Sequence, residues 1–122
     1  MEEVEPHPFD VENVLTSQQL ETAVNASPRV IAVYLDEWCV ACRILKQVIH
    51  QITEDYPGYF HFVKIDVDFS EKYALFKKYK LKSYPFLMCY QLGEVMEVFV
   101  FPDSKVKLIK KLKKHYDLQS IE

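Results

Sequence analysis

The run Val30-Ile31-Ala32-Val33-Tyr34-Leu35 constrains the chain more than any other segment: an unbroken apolar, largely β-branched stretch of strand length reads as a strand buried on both faces. Such a strand needs cover on each side. Ser27 and Pro28 break the chain before it, and Asp36-Glu37-Trp38 end it. From Cys39 to about Glu54, Ile44, Leu45, Val48, Ile49 and Ile52 then recur at spacings of one, three and four, which is a single helical stripe. A buried strand thus passes straight into an amphipathic helix that starts at a cysteine.

The remaining elements fit around this unit. Val11 to Leu15 reads as a short strand, and Thr16 with Gln19 forms a capping box for a helix reaching about Asn25. Phe60 to Val67 is a second central strand, after which Ser70 caps a helix with Tyr73, Phe76 and Tyr79 on one face. Pro85–Tyr90 and Val95–Phe101, joined through Gly93, read as a β-hairpin. Asp103 or Ser104 caps a last helix with Val106, Ile109, Leu112 and Tyr116 on one side and Lys107, Lys110, Lys111 and Lys114 elsewhere. The order β-α-β-α-β-α-β-β-α implies an α/β fold, a central mixed β-sheet flanked by helices on both faces, with right-handed parallel crossovers.

A chain of 122 residues, 49% of them apolar, can bury a core in one domain without disulfide staples. The domain is expected over 9–118, between an N-terminal tail at 1–8, with two prolines and no periodicity, and a short C-terminal tail at 119–122. A formal charge of -3 makes no global case for nucleic acid or membrane, although six acids lie in 1–28 and six lysines in 105–114. The acidic, proline-bearing N-terminus does not read as a secretory signal, and no apolar run approaches the ~20 residues of a membrane span. A cytoplasmic location is expected. Three cysteines do not make a secreted disulfide scaffold, so a close pair points to redox chemistry or to metal.

That pair is Trp38-Cys39-Val40-Ala41-Cys42, placed where the buried strand hands over to the helix. Unpaired N–H groups and the positive end of the helix dipole lie beside the first cysteine and favour its thiolate, the attacking species in disulfide exchange. Cys42 follows nearly one turn later, shielded yet near enough to attack Cys39 once a mixed disulfide has formed. Zinc would need two further ligands from Cys89, His7, His50, His61 and His115, none at paired spacing. Two cysteines that merely pack are the bland alternative.

Asp36-Glu37-Trp38-Cys39-Val40-Ala41-Cys42, then Phe62-Val63-Lys64-Ile65-Asp66-Val67-Asp68, Ser83-Tyr84-Pro85-Phe86 and Leu92-Gly93-Glu94 occur in the order of the landmarks of the thioredoxin family, which the chain resembles over roughly 9–118. The resemblance implies a thioredoxin-like fold and thiol-disulfide exchange with protein substrates, with no cofactor and no metal. It implies Cys39 as nucleophile, Cys42 as resolving thiol, Trp38 as a shield, and Pro85 as a cis-proline presenting the Tyr84 backbone to an extended substrate. Phe101 would border the substrate groove, and Lys64 stands beside the place of the family's active-site lysine. The implied partners are protein disulfides or thiols and a recharging thioredoxin reductase, with no nucleic acid or membrane, and the chain is expected to be a monomer.

Four departures mark a divergent member. Val40-Ala41 replaces the usual Gly-Pro, Val33 stands in place of a buried acid, Gln47 in place of a helix-kinking proline, and Phe101 in place of a glycine. These departures leave open a second class of function, an adaptor that uses the groove around Trp38, Tyr84 and Phe101 to recognise a partner with little redox turnover. Cys89 reads as core, and the lysine-rich last helix as a solvated face.

Overall fold

The computed structural model describes residues 12–14, 17–35, 39–65, 69–102 and 104–116. Along the chain it places β1 (Glu12–Val14), α1 (Ser17–Val24), β2 (Arg29–Tyr34), α2 (Val40–Asp55), β3 (His61–Ile65), α3 (Phe69–Tyr79), β4 (Phe86–Gln91), β5 (Glu94–Val100) and α4 (Lys105–His115). One sheet holds all the strands in the order β1-β3-β2-β4-β5. The three strands β1, β3 and β2 run parallel, while β4 and β5 are antiparallel additions. This is the mixed α/β sheet that the pattern of elements implies.

Alternation along the central strands divides the core in two. Ile31 and Val33 of β2 face the side covered by α2 and α4, where Leu45, Val48, Ile49, Ile52, Leu108 and Leu112 pack. Val30, Ala32 and Tyr34 face the other side, with Ala23 and Val24 of α1 and the flank of α3. Every residue of β2 from Val30 to Tyr34 is buried, which accounts for its unbroken apolar run.

Several face assignments differ from the sequence reading. Ile44 lies beyond the edge of the buried stripe of α2, and Cys42 is buried in its stead with Leu45, Val48, Ile49 and Ile52. On α3, Tyr73 is 56% exposed, while Leu75, Phe76 and Tyr79 pack against the core. On α4, Val106 is 72% exposed, and the buried line is Leu108, Leu112 and Tyr116 at spacing four. A run of apolar residues at spacing three fits two adjacent helical stripes almost equally, and tertiary cover selects one. Ser70 lies inside α3, which begins at Phe69, so it is not the cap. Ser104, by contrast, caps α4, its hydroxyl accepting the Lys107 N–H at 3.2 Å. The expected capping residue Thr16 lies outside the described residues, as do both expected tails.

Candidate active site

The end of β2 and the start of α2 set the site. Cys39 has extended backbone angles (φ −101°, ψ 121°) and acts as the N-cap of α2. Its carbonyl accepts the Arg43 N–H at 3.4 Å, and its sulfur accepts the Cys42 N–H at 3.1 Å. The cysteine thus performs the task usually given to Ser or Asp, satisfying one of the orphan donors of the first turn. Those donors also surround the place where a sulfur would carry negative charge. Cys39 is partly exposed, whereas Cys42, on the inward face of the helix, is only 2% exposed. Gln47 leaves α2 unbroken over 16 residues.

The opposite wall comes from the segment leading into β4. The Tyr84–Pro85 peptide bond is cis. The Cys39 thiol points at the Tyr84 carbonyl, Sγ to O 3.8 Å. Aromatic packing on the far side of the sheet holds this segment: the Tyr84 ring lies 4.8 Å from Phe76 and 6.0 Å from Phe86, and Phe86 stacks on Tyr34 at 4.5 Å. The Pro85 carbonyl accepts the Phe101 N–H at 2.9 Å, joining the loop to the end of β5.

Cys39, Cys42, Tyr84 and Pro85 therefore converge. Phe101 reaches the same place through its backbone only. Its ring is 4% exposed and lies in the core under α4, so it offers no aromatic surface to a partner. Trp38 lies outside the described residues. Two residues that the sequence reading did not assign to the site flank it: Val40, 65% exposed between the cysteines, and Ile44, exposed one turn on, form an apolar rim with Arg43 exposed between them. Ile44 could have been found by its offset from the line through Leu45, Ile49 and Ile52.

Beneath the cysteines the sheet is apolar. Val33 is fully buried on the α2 side, paired across the parallel ladder with Lys64. Lys64 lies two residues from buried Phe62 on that same face and is half-buried. Among the described residues the only polar side-chain groups that are buried are cysteine thiols and tyrosine hydroxyls. The third thiol, Cys89, sits fully buried on β4 beside the Tyr116 hydroxyl, and burial pushes its pKa up to about 12, the hydroxyl opposing only in part. Among the described residues no three His, Cys, Asp or Glu side chains gather as a metal site, and no helix is long and apolar enough to cross a membrane.

The family model described as Thioredoxin matches residues 11–114. The chain is 26% identical over 107 residues to the thioredoxin of Griffithsia pacifica, an overlap covering 88% of this chain and 96% of that protein. It is 31% identical over 78 residues to thioredoxin 1 of a Nostoc species, covering 64% and 71%. Among solved structures, a mutant thioredoxin of Halobacterium salinarum superposes with a TM-score of 0.69 at 22% identity, over 92% of this chain and 96% of that one. A half-exposed thiol at a helix start, with a second thiol buried one turn along, is an arrangement suited to passing a disulfide from one molecule to another. With the matched sequence running through nearly all of the fold, the chain belongs to the thioredoxin family and is a thiol-disulfide oxidoreductase.

Proposed function

We propose that Cys39 attacks a disulfide of a protein substrate and that Cys42 completes the exchange. The observation that carries this division of labour is the capping geometry: Cys39 offers its sulfur at the surface with a backbone N–H directed at it, while Cys42 is shielded. The Cys39 thiolate attacks one substrate sulfur, forms a mixed disulfide and expels the other as a thiolate, which takes up a proton. The Cys42 thiol then loses its proton and attacks the Cys39 sulfur, forming the Cys39–Cys42 disulfide and releasing the second substrate thiol. Two electrons pass to the substrate, and a reductase of the thioredoxin reductase class returns them. Running in reverse, the same steps oxidise a dithiol.

In this reading an extended substrate lies against the Tyr84 carbonyl and Pro85, with Val40 and Ile44 as the apolar rim and Trp38 as a shield. The adaptor alternative is weakened by the burial of Phe101, which removes one of its three aromatic contacts. A monomer is favoured because α1 to α4 of the chain itself cover both sheet faces. The cytoplasm is favoured as a reducing compartment that suits a dithiol, and cell fractionation would test it.

Insulin reduction followed by turbidity tests the assignment. Cys39→Ser is expected to abolish turnover, and Cys42→Ser to attack once and stall as a mixed disulfide detectable by mass spectrometry. Equal residual turnover in the two variants would refute the roles.

A further inference from the structure

Strand β5 closes one side of the sheet, and among the described residues it pairs only with β4. Natural edge strands are usually protected by Lys or Pro, or by a bulge. Glu94–Val100 contains neither Lys nor Pro. It does have a bulge: Tyr90 pairs with Val95 and Cys89 with Glu97, which leaves Met96 as the extra residue. The regular part of the edge is therefore Glu97–Val100, in which the Phe101 N–H bonded to Pro85 sets the alternation: Val98 and Val100 turn their backbone groups outward.

The two faces beside that edge differ in chemistry. Towards α4 lies a cleft of about 470 Å³ whose walls include Lys107, Lys110, Lys111, Lys114 and His115, with Glu97 as the single acid. Lys111 holds its ammonium 4.8 Å from the Phe99 ring centroid. Lys105 at the helix start is paired with Asp55 at 2.6 Å, but Lys107, Lys110, Lys111 and Lys114 have no carboxylate within ion-pairing distance among the described residues. On the other face lies a cleft of about 410 Å³ lined by Tyr79, Val95, Met96, Glu97 and Val98. A solvated lysine face on a surface helix would be unremarkable alone. Here it stands over an open strand edge, with the side chains of Tyr79, Val95, Met96 and Val98 on the opposite face.

We propose that β5 is a docking edge for an extended segment of a partner protein in which acidic residues alternate with apolar ones. The segment adds as a further strand along Glu97–Val100. Its backbone pairs with the free edge, its acids face the lysines of α4, and its apolar residues face Tyr79 and Val98. The periods are close: side chains on one face of a strand repeat every ~6.7 Å and a lysine stripe every helical turn of ~5.4 Å, a difference that the flexible lysine stem absorbs. A nucleic acid or an inorganic polyanion matches these features less well. It has no amide to offer the edge, makes no use of Tyr79 and Val98 on the other face, and meets Glu97 among the lysines.

The test uses the full chain and a capped, cysteine-free peptide of alternating Glu and Val, so that binding is read without exchange chemistry and its failure leaves the dithiol function standing. Fluorescence anisotropy is expected to show binding that weakens with salt. A block peptide of the same composition, with Glu and Val segregated, is expected to bind at least fivefold more weakly. The triple variant Lys110→Glu, Lys111→Glu, Lys114→Glu is expected to lose about tenfold or more in affinity, because it replaces three attractive charges with repulsive ones. Its unchanged insulin reduction and circular dichroism would show the fold intact. Hydrogen exchange is expected to slow at the outward-facing Val98 and Val100 amides when the alternating peptide is bound. Absence of binding up to about 1 mM overturns the proposal. So does binding without protection of those amides, or inorganic polyphosphate binding as tightly as the peptide, either of which would reduce the face to an unselective basic patch.

Discussion

Val33 lies fully buried on the sheet face that α2 covers, where relatives of this chain are expected to keep an acid. Cys42 is shielded from water, and completing an exchange requires it to lose a proton there, a step that burial opposes and a nearby base would ease. A valine can neither accept that proton nor hold a water that does. Lys64, its ladder partner on the same face, can aid a thiolate electrostatically but offers no carboxylate. Resolution of a preformed mixed disulfide on Cys39 is therefore expected to be slow near neutrality and to accelerate towards pH ~8 to 9, and Val33→Asp is expected to raise its rate about tenfold at pH 7, below the usual range for general-base help because a thiol ionises appreciably unaided. The same substitution buries a carboxylate among hydrocarbon and should lower stability by at least about 2 kcal/mol. Stopped-flow decay of the mixed disulfide measures the first effect and urea denaturation the second. A pH-independent rate untouched by Val33→Asp would assign the proton to another group. The valine was legible from sequence, but its neighbourhood was not, because ladder register and burial depend on how distant segments pair.

The helices illustrate which features a linear reading can and cannot resolve. The strand-to-helix junction at Cys39 was evident because β-branched continuity and a helical period meet there with little between them. The inward face of α4 was not. Val106, Ile109, Leu112 and Tyr116 form a plausible stripe, yet Leu108, Leu112 and Tyr116 are the buried line, and only the position of α2 and β5 decides between them. The consequence is measurable: Leu112→Ala is expected to cost about 2 to 5 kcal/mol by opening a cavity in the core, whereas Val106→Ala should stay within about 0.5 kcal/mol. Comparable losses in urea midpoint for both would restore the stripe read from spacing. The hairpin between β4 and β5 was visible from two strand-like runs joined through Gly93. Its turn also places Leu92 at φ 54° beside Gly93 at φ 87°, the paired positive angles of a tight primed turn. An added Cβ at Gly93 would stand 2.6 Å from the Asn25 side-chain oxygen, so the glycine serves both the turn and its contact with the end of α1.

Across the whole molecule the two apolar clusters are separated by a sheet and closed by the chain's own helices, and the stability of the fold responds to pH through groups buried in both of them. Cys89 keeps its proton in the folded protein up to about pH 12 because burial disfavours its thiolate, against an ordinary value of 9.0 once the chain is open. Its folded pKa is the higher one, so its contribution is fully present below pH 9.0 and is lost as pH rises to about 12, at a limiting slope of about 1.4 kcal/mol per pH unit. The Tyr90 and Tyr116 phenols, also pushed up by burial, act with the same sign from about pH 10 upwards. Urea midpoints are expected to fall progressively above pH ~9, and Cys89→Ala should delay the onset towards pH ~10. A Cys89→Ala profile that superimposes on that of the parent would contradict the assignment. Tyr116 also fastens the end of α4 to the sheet, its hydroxyl donating to Tyr90 O at 2.7 Å and lying 3.3 Å from Val30 O. A thiol enclosed behind that fastening is a built-in clock. It stays silent to alkylating reagents while the molecule is closed and reacts only in copies that have opened, so the slow rate at which Cys89 becomes modified counts the openings of the core, independently of the fast chemistry at Cys39.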